Sequence, residues 1–116
     1  TSMALREMLA AGILADVWKI EGMDKTQSYQ ELSDIIKSNY QENVNMVVLG
    51  RGQDAKHMEG WLTAAKGVNG VIGFAIGRTI FWEPLKGYLA GQWSATEASS
   101  QIAQNYIYFY KFFTAK

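Results

Sequence analysis

Apolar residues recur along this chain with two periods, and these periods predict alternating helices and strands. Short apolar runs bounded by glycine or polar residues predict strands at 15–21, 44–49 and 70–77. Apolar positions at steps of three and four residues predict helices at 3–12, 24–42, 53–66, 80–90 and 94–113. We expect Pro84 and Gly87 to interrupt the fourth helix. Ser94 and Glu97 predict a capping box at the start of the fifth.

The order of these elements predicts a parallel sheet in a single domain, 1–116. Strands that alternate with helices along a chain form parallel sheets through right-handed crossovers, and all three strands are apolar enough to be covered on both faces. Three strands cannot close a barrel, and an open sheet leaves two unpaired edges. We therefore expect an α/β fold of the partial-barrel kind. Other segments or a second copy of the chain complete it, or it stays open.

The amino-acid composition excludes several classes of function for this chain. Eleven Lys and Arg balance eleven Asp and Glu among the 116 residues, which excludes a broad electrostatic attraction to nucleic acid or to an anionic membrane. No apolar run reaches the roughly 18 residues of a transmembrane helix. Cysteine is absent, and His57 with scattered carboxylates gives no metal-ligand spacing. We expect a cytoplasmic protein with no metal, no other cofactor, and no nucleic-acid or membrane partner.

The first predicted strand carries a lysine that could act as a nucleophile. Its two-residue period places Val17, Lys19 and Glu21 on one face, with Trp18 and Ile20 on the face that helices cover. In a barrel, Lys19 would point inward near the carboxyl end of the strand, where barrel enzymes place catalytic groups. Desolvation there favours the neutral amine, which can form a Schiff base with a carbonyl substrate. Glu21 could assist proton transfer on the same face.

Glycine-rich turns follow the second and third strands. Gly50-Arg51-Gly52 comes after one strand and Gly77-Arg78 after the next. A glycine lets backbone N–H groups approach an anion, the following helix presents its positive end, and an arginine adds a two-pronged charge. The loops after the last two strands of such barrels form the usual phosphate site. These five residues are therefore candidates for binding a sugar phosphate.

A structural role remains open for each candidate. Lys19 could be an edge-strand lysine that blocks aggregation, and Glu21 a solvated carboxylate. The glycines after the second strand could serve the turn alone. Arg78 could pair with Glu83 or with a carbonyl group.

Three segments carry a resemblance to a known family. They resemble the aldolase-like domain at the C-terminus of some bacterial 5-dehydro-2-deoxygluconokinases, which is similar to class I tagatose-1,6-bisphosphate aldolases. The segments are 15–22 (ADVWKIEG), 48–50 (VLG) and 73–85 (GFAIGRTIFWEPL). In the aldolases a lysine on the sixth strand forms the Schiff base, and Lys19 matches it. A Gly-Arg pair after the last strand binds phosphate, and Gly77-Arg78 matches it. Gly50 and Arg51 replace the serine and alanine of the family's Leu-Ser-Ala-Gly turn.

The resemblance covers essentially the whole chain and implies the last three strands of a (β/α)8 barrel with their covering helices. It also implies cleavage of 2-deoxy-5-keto-gluconate 6-phosphate to dihydroxyacetone phosphate and malonate semialdehyde in inositol catabolism. The five other strands, with the acid–base side chains that relatives place on them, are outside the sequence, so we expect either a homo-oligomer or the remainder of a longer barrel chain. The alternative function is a non-catalytic barrel fragment that binds sugar phosphate or self-assembles.

Overall fold

Helices and strands alternate in the computed structural model, which describes residues 1–40 and 43–115. The strands are β1 (Trp18–Glu21), β2 (Met46–Leu49) and β3 (Val71–Ala75). The helices are α1 (Ser2–Ala10), α2 (Thr26–Tyr40), α3 (Ala55–Ala65), α4 (Arg78–Leu89) and α5 (Ala95–Thr114). Each predicted element is present with trimmed or shifted ends, and the predicted end of the second helix at Glu42 falls outside the described residues.

The three strands form one parallel sheet in the order β1-β2-β3. Successive strands are neighbours and parallel crossovers are right-handed, so α2 and α3 lie on the same face of the sheet. This arrangement is that of a barrel wall, whereas a doubly wound sheet has helices on both faces. The structure is therefore an α/β fold with three parallel strands, consistent with a partial (β/α)8 barrel.

Only one face of the sheet is covered by helices in the described part of the chain. Trp18, Ile20, Met46 and Val48 are buried on the helix side, whereas Lys19 on the opposite face is exposed. The apolar content of the strands predicted cover on both faces, and the structure corrects this expectation. We call the uncovered side the bare face. The strand register aligns its members in two rows: Lys19, Val47 and Gly73, then Glu21, Leu49 and Ala75.

The register between β2 and β3 contains an irregularity. Met46 pairs with Val71 and Val47 pairs with Gly73, so Ile72 has no partner on β2. Such a bulge shifts the alternation of side chains by one residue. Phe74 consequently faces α5, where its ring contacts those of Tyr106 and Phe113 at centroid distances of 6.1 and 6.0 Å.

The core lies between the helix side of the sheet and helices α2 and α3. Burial of these large apolar side chains supplies the main driving force for folding. Its fully buried apolar members include Tyr29, Leu32, Ile36, Met46, Met58 and Leu62. Two buried polar groups on α2 are satisfied. The Ser33 hydroxyl donates to the Asn69 carbonyl at 2.6 Å, and the Tyr29 hydroxyl accepts from the Met23 amide at 2.8 Å. Burial raises the pKa of the Tyr29 hydroxyl.

Helix α4 is continuous through Pro84, so the predicted interruption was wrong. Proline removes the N–H that would bond the carbonyl four residues earlier, which is that of Ile80. The Asn105 side chain on α5 donates to that carbonyl at 2.8 Å. Gly87 lets the Trp93 ring approach, since a Cβ there would lie 3.2 Å from it.

Helix α5 begins as predicted, because the Ser94 hydroxyl accepts a hydrogen bond from the Glu97 amide at 3.0 Å. The helix packs mainly against α4. On this helix Ala98 and Phe109 are buried, while Tyr106 is 53% exposed. Across residues 1–40 and 43–115, no helix has the length and apolar character needed to cross a membrane.

Candidate functional site

The turn after β2 has an unusual backbone. Arg51 and Gly52 have φ angles of 54° and 73°, both in the left-handed region. The Gln53 amide donates to the Gly50 carbonyl at 3.2 Å and closes the turn. Gly50 is buried, and a Cβ on it would lie 3.3 Å from the Met58 sulfur. A side chain at Gly50 would therefore be crowded, and the positive φ of Gly52 favours glycine there.

The turn after β3 leads directly into α4. The Gly77 carbonyl accepts from the amides of Ile80 and Phe81 at 2.8 and 3.1 Å. The first amides of a helix have no partner within the helix, so those of Arg78 and Thr79 point out of its N-terminus. The Thr79 hydroxyl donates to the Gln53 carbonyl and ties this helix start to the turn after β2.

These two turns enclose a pocket of about 520 Å³, which we call the Arg78 pocket. Gly52 lies directly against the Arg78 guanidinium, because a Cβ on it would come within 2.7 Å of the Arg78 Cζ. Glu83 pairs with Lys86 at 3.0 Å. Arg78 itself makes no ion pair within the described ranges. The lining residues are Gly52, Gln53, Asp54, Arg78, Thr79, Trp82 and Glu83.

Asp54 caps α3 at the rim of the Arg78 pocket. Its carboxylate accepts from the His57 amide at 2.9 Å and lies 2.8 Å from the His57 Nδ1. These hydrogen bonds, the amide's first, hold the pKa of Asp54 below its usual range. The sequence interpretation missed Asp54 and Thr79 as pocket residues. An aspartate three residues before His57, directly after a turn, was a helix-cap signal that could have placed Asp54 there.

Lys19 lies on the bare face, as the strand period predicted, and it is exposed there. A second pocket, of about 270 Å³, lies between α1 and the β1 edge of the sheet. Lys19, Glu21 and Leu49 line it together with Trp18 and Ile20 from the helix side. The enclosed surroundings expected for Lys19 in a closed barrel require cover over this face.

Glu21 joins β1 to the turn after β2. Its Oε2 accepts from the Arg51 Nη1 at 3.0 Å, and its Oε1 accepts from the Thr1 hydroxyl. The structure thus separates two residues that the sequence grouped together: Gly52 contacts Arg78, whereas the Arg51 side chain extends to Glu21. Nothing in the sequence pattern indicated this pairing, because the two residues are 30 positions apart.

No group of three His, Asp or Glu side chains comes together as a metal site in the part of the chain that the structure describes.

Three neighbouring parallel strands with one bare face and glycine turns at their carboxyl ends define an α/β protein consistent with part of a barrel. The family model described as an uncharacterized protein conserved in bacteria (DUF2090) matches residues 1–116, and the chain belongs to that family. No curated protein matches the sequence.

Proposed function

We propose that this chain is a class I aldolase-type domain that cleaves a phosphorylated keto sugar. The proposed substrate is 2-deoxy-5-keto-gluconate 6-phosphate, an intermediate of inositol catabolism. One observation carries the proposal: Lys19 stands on the bare face of a sheet whose carboxyl edge also forms the Arg78 pocket. An amine nucleophile and an anion-binding pocket at one strand edge are what a Schiff-base aldolase of a sugar phosphate needs.

Lys19 supplies the covalent chemistry in this proposal. Its neutral amine adds to the keto carbon, and loss of water leaves a protonated imine. A base then removes the proton of the hydroxyl two carbons from the imine carbon. The bond between the hydroxyl-bearing carbon and the carbon next to the imine carbon breaks. Malonate semialdehyde leaves, and the electron pair of the broken bond is held as an enamine. Protonation of the enamine and hydrolysis release dihydroxyacetone phosphate and restore Lys19. The imine is the electron sink, so the reaction needs no metal or other cofactor.

Gly52, Gly77 and Arg78 hold the substrate phosphate in this proposal, and Gly50, whose amide donates to the Ala75 carbonyl, shapes the turn behind them. The amides at the start of α4 and the Arg78 guanidinium supply the donors that a phosphate accepts. Lys86 offsets the charge of Glu83 at the rim. Glu21 is the candidate for proton transfer near Lys19, because it lies two residues further along β1 on the same face.

Closure of the active site is part of the proposal. A parallel sheet is normally covered on both faces, and a Schiff-base lysine needs desolvation to become neutral. Further strands of a homo-oligomer, or the remainder of a longer barrel chain, would supply that cover. The proposed setting is the cytoplasm.

The exposure of Lys19 favours a second candidate function, a non-catalytic barrel fragment that binds sugar phosphate or self-assembles. In that case the Arg78 pocket binds phosphate while Lys19 stays solvated and inert.

Borohydride trapping with dihydroxyacetone phosphate, followed by mass spectrometry of intact protein and peptides, tests the proposal. We expect a reduced adduct on Lys19 that the Lys19→Met variant loses. The Lys56→Met variant, which changes an exposed lysine on α3, should keep it. A folded wild-type chain that binds dihydroxyacetone phosphate but forms no adduct would establish the second candidate and reject the aldolase.

A further inference from the structure

We infer that Arg51 forms a second anion-binding position that receives a carboxylate of the substrate, separate from the phosphate position in the Arg78 pocket. This inference rests on the proposed function, whose substrate carries a carboxylate at one end and a phosphate at the other. Arg51 is then a specificity-determining residue.

The direction of the Arg51 side chain is the first support. Its Nη1 donates to the Glu21 Oε2 at 3.0 Å, which brings the guanidinium from the turn after β2 to the end of β1. Glu21 and Lys19 share the bare face. The guanidinium therefore lies at the carboxyl edge of the strand that carries the lysine nucleophile.

The guanidinium also has donors to spare. It carries five N–H donors in a fixed plane, and one nitrogen is engaged by Glu21. The Arg51 side chain is 63% exposed, so the remaining donors are open to a ligand. A carboxylate matches this planar, two-pronged geometry.

The backbone at Arg51 is the second, independent support. Among residues 1–40 and 43–115, Arg51 is the non-glycine residue with a positive φ, at 54°. An arginine in a left-handed conformation is uncommon, and such positions cluster at functional sites. The turn thus holds an arginine at a position where glycine would be conformationally easier.

Adjacent residues of one turn then serve two ends of a ligand. Arg51 extends to Glu21 at the end of β1, while Gly52 lies against Arg78 beyond β3. The Arg78 side chain extends to Gly52, so the two guanidinium groups lie near the ends of the neighbouring strands β1 and β2, which are about 4.8 Å apart. Two cationic groups at neighbouring strand ends can bind two anionic groups of one small ligand.

Glu21 directs the Arg51 side chain in this arrangement. One of its oxygens holds Arg51 and the other accepts from the Thr1 hydroxyl. The single bond between Arg51 and Glu21 sets the direction of the guanidinium toward β1.

Calorimetric titration of two non-reacting probes tests this inference without imine chemistry. Gluconate 6-phosphate carries a carboxylate and a phosphate, and glycerol 3-phosphate carries the phosphate alone. For Arg51→Gln we expect about tenfold weaker binding of gluconate 6-phosphate, the loss typical of a charged hydrogen bond, and less than about twofold change for glycerol 3-phosphate. Arg78→Gln should weaken both probes. Arg6→Gln, at an exposed arginine of α1, should change neither.

Every outcome decides the matter once circular dichroism shows that the variants are folded. If Arg51→Gln weakened the binding of both probes equally, Arg51 would belong to the phosphate site. If it weakened the binding of neither, Arg51 would have no part in ligand binding. Absence of binding of either probe to the wild-type chain would also overturn the inference. Selective weakening without a borohydride adduct on Lys19 would keep the carboxylate position and reject the aldolase alone.

Discussion

The side-chain amide of Asn105 donates to the Ile80 carbonyl at 2.8 Å, and it thereby replaces the backbone N–H that Pro84 cannot supply. Helix α4 stays continuous because a neighbouring helix satisfies the group that the proline leaves open. The contact joins two helices whose bonded residues are 25 positions apart in the chain.

Loss of the Asn105 amide should destabilise the protein. Asn105→Ala leaves the Ile80 carbonyl, which belongs to a buried residue, without its donor, and we expect a loss of about 1–2 kcal/mol in the free energy of unfolding. Urea denaturation measures it. Asn105→Ala also removes the hydrogen bond that the Gln101 side chain donates to the Asn105 Oδ1 at 2.8 Å. Gln101→Ala removes that bond alone and is therefore the matched control.

A double-mutant cycle with Pro84→Ala isolates the relationship. Alanine restores the backbone N–H at position 84, so the Asn105→Ala change should be less harmful in that background, by about 1 kcal/mol. Strictly additive effects would show that Asn105 stabilises the helix pair in some other way.

Alternation of strands and helices, and the face on which Lys19 lies, could be predicted because both follow from local period. The continuity of α4 could not, because the rescue of Pro84 comes from a residue on another helix. The pairing of Arg51 with Glu21 could not be predicted either, because it depends on strand register. Cover of both sheet faces was predicted from apolar content, and the structure shows cover on one. The apolar content of a strand shows that its face can be buried, but it does not identify the segment that covers it.

Gly22 and Gly60 should respond oppositely to alanine. A Cβ at Gly22 would lie 1.9 Å from the Trp61 ring, so Gly22→Ala forces the ring away and should cost about 1–3 kcal/mol of stability. The displaced ring would also lose the hydrogen bond of its Nε1 to Asp24 at 2.9 Å. Gly60 lies inside α3 with nothing within 4 Å of a Cβ, so Gly60→Ala should stabilise the protein by up to about 1 kcal/mol.

Thermal unfolding of the two variants measures this contrast, with tryptophan fluorescence as a second readout. A Gly22→Ala chain of wild-type stability would contradict the close packing of Trp61 on the turn after β1.

Alanine substitutions at Gly52 and Gly67 distinguish the effect of backbone strain from an effect on the Arg78 pocket. Both have positive φ angles, of 73° and 80°, so alanine should destabilise each by about 1 kcal/mol. A Cβ at Gly52 would also push the Arg78 guanidinium aside, whereas at Gly67 it meets nothing within 4 Å. Glycerol 3-phosphate binding should therefore weaken in Gly52→Ala and persist in Gly67→Ala, as measured by calorimetry. Equal binding by both variants would show that the Gly52–Arg78 contact has no part in holding the anion.

Stability at acid pH should depend on Asp54. Hydrogen bonds from the His57 amide and ring lower the pKa of this carboxyl in the folded protein. A group with a lowered folded pKa stabilises the fold fully above its unfolded pKa, near 4, and the contribution disappears as the pH falls through the folded pKa. The free energy of unfolding, measured in urea between pH 6 and pH 2, should therefore decline below about pH 4. Asp54→Asn keeps a side-chain oxygen for the helix cap and cannot titrate, so its decline should be shallower.

The backbone amide of His57 is the larger cause of the lowered pKa and the ring is the smaller. His57→Gln retains the amide and removes the ring, which raises the folded pKa of Asp54 toward its unfolded value. The decline should therefore begin at the same pH as in the wild type and end at a higher pH, with a total loss smaller than in the wild type and larger than in Asp54→Asn. If Asp54→Asn instead followed the wild-type curve, other carboxylates would have to carry the acid sensitivity. The cap of α3, at the rim of the Arg78 pocket, would then be independent of pH.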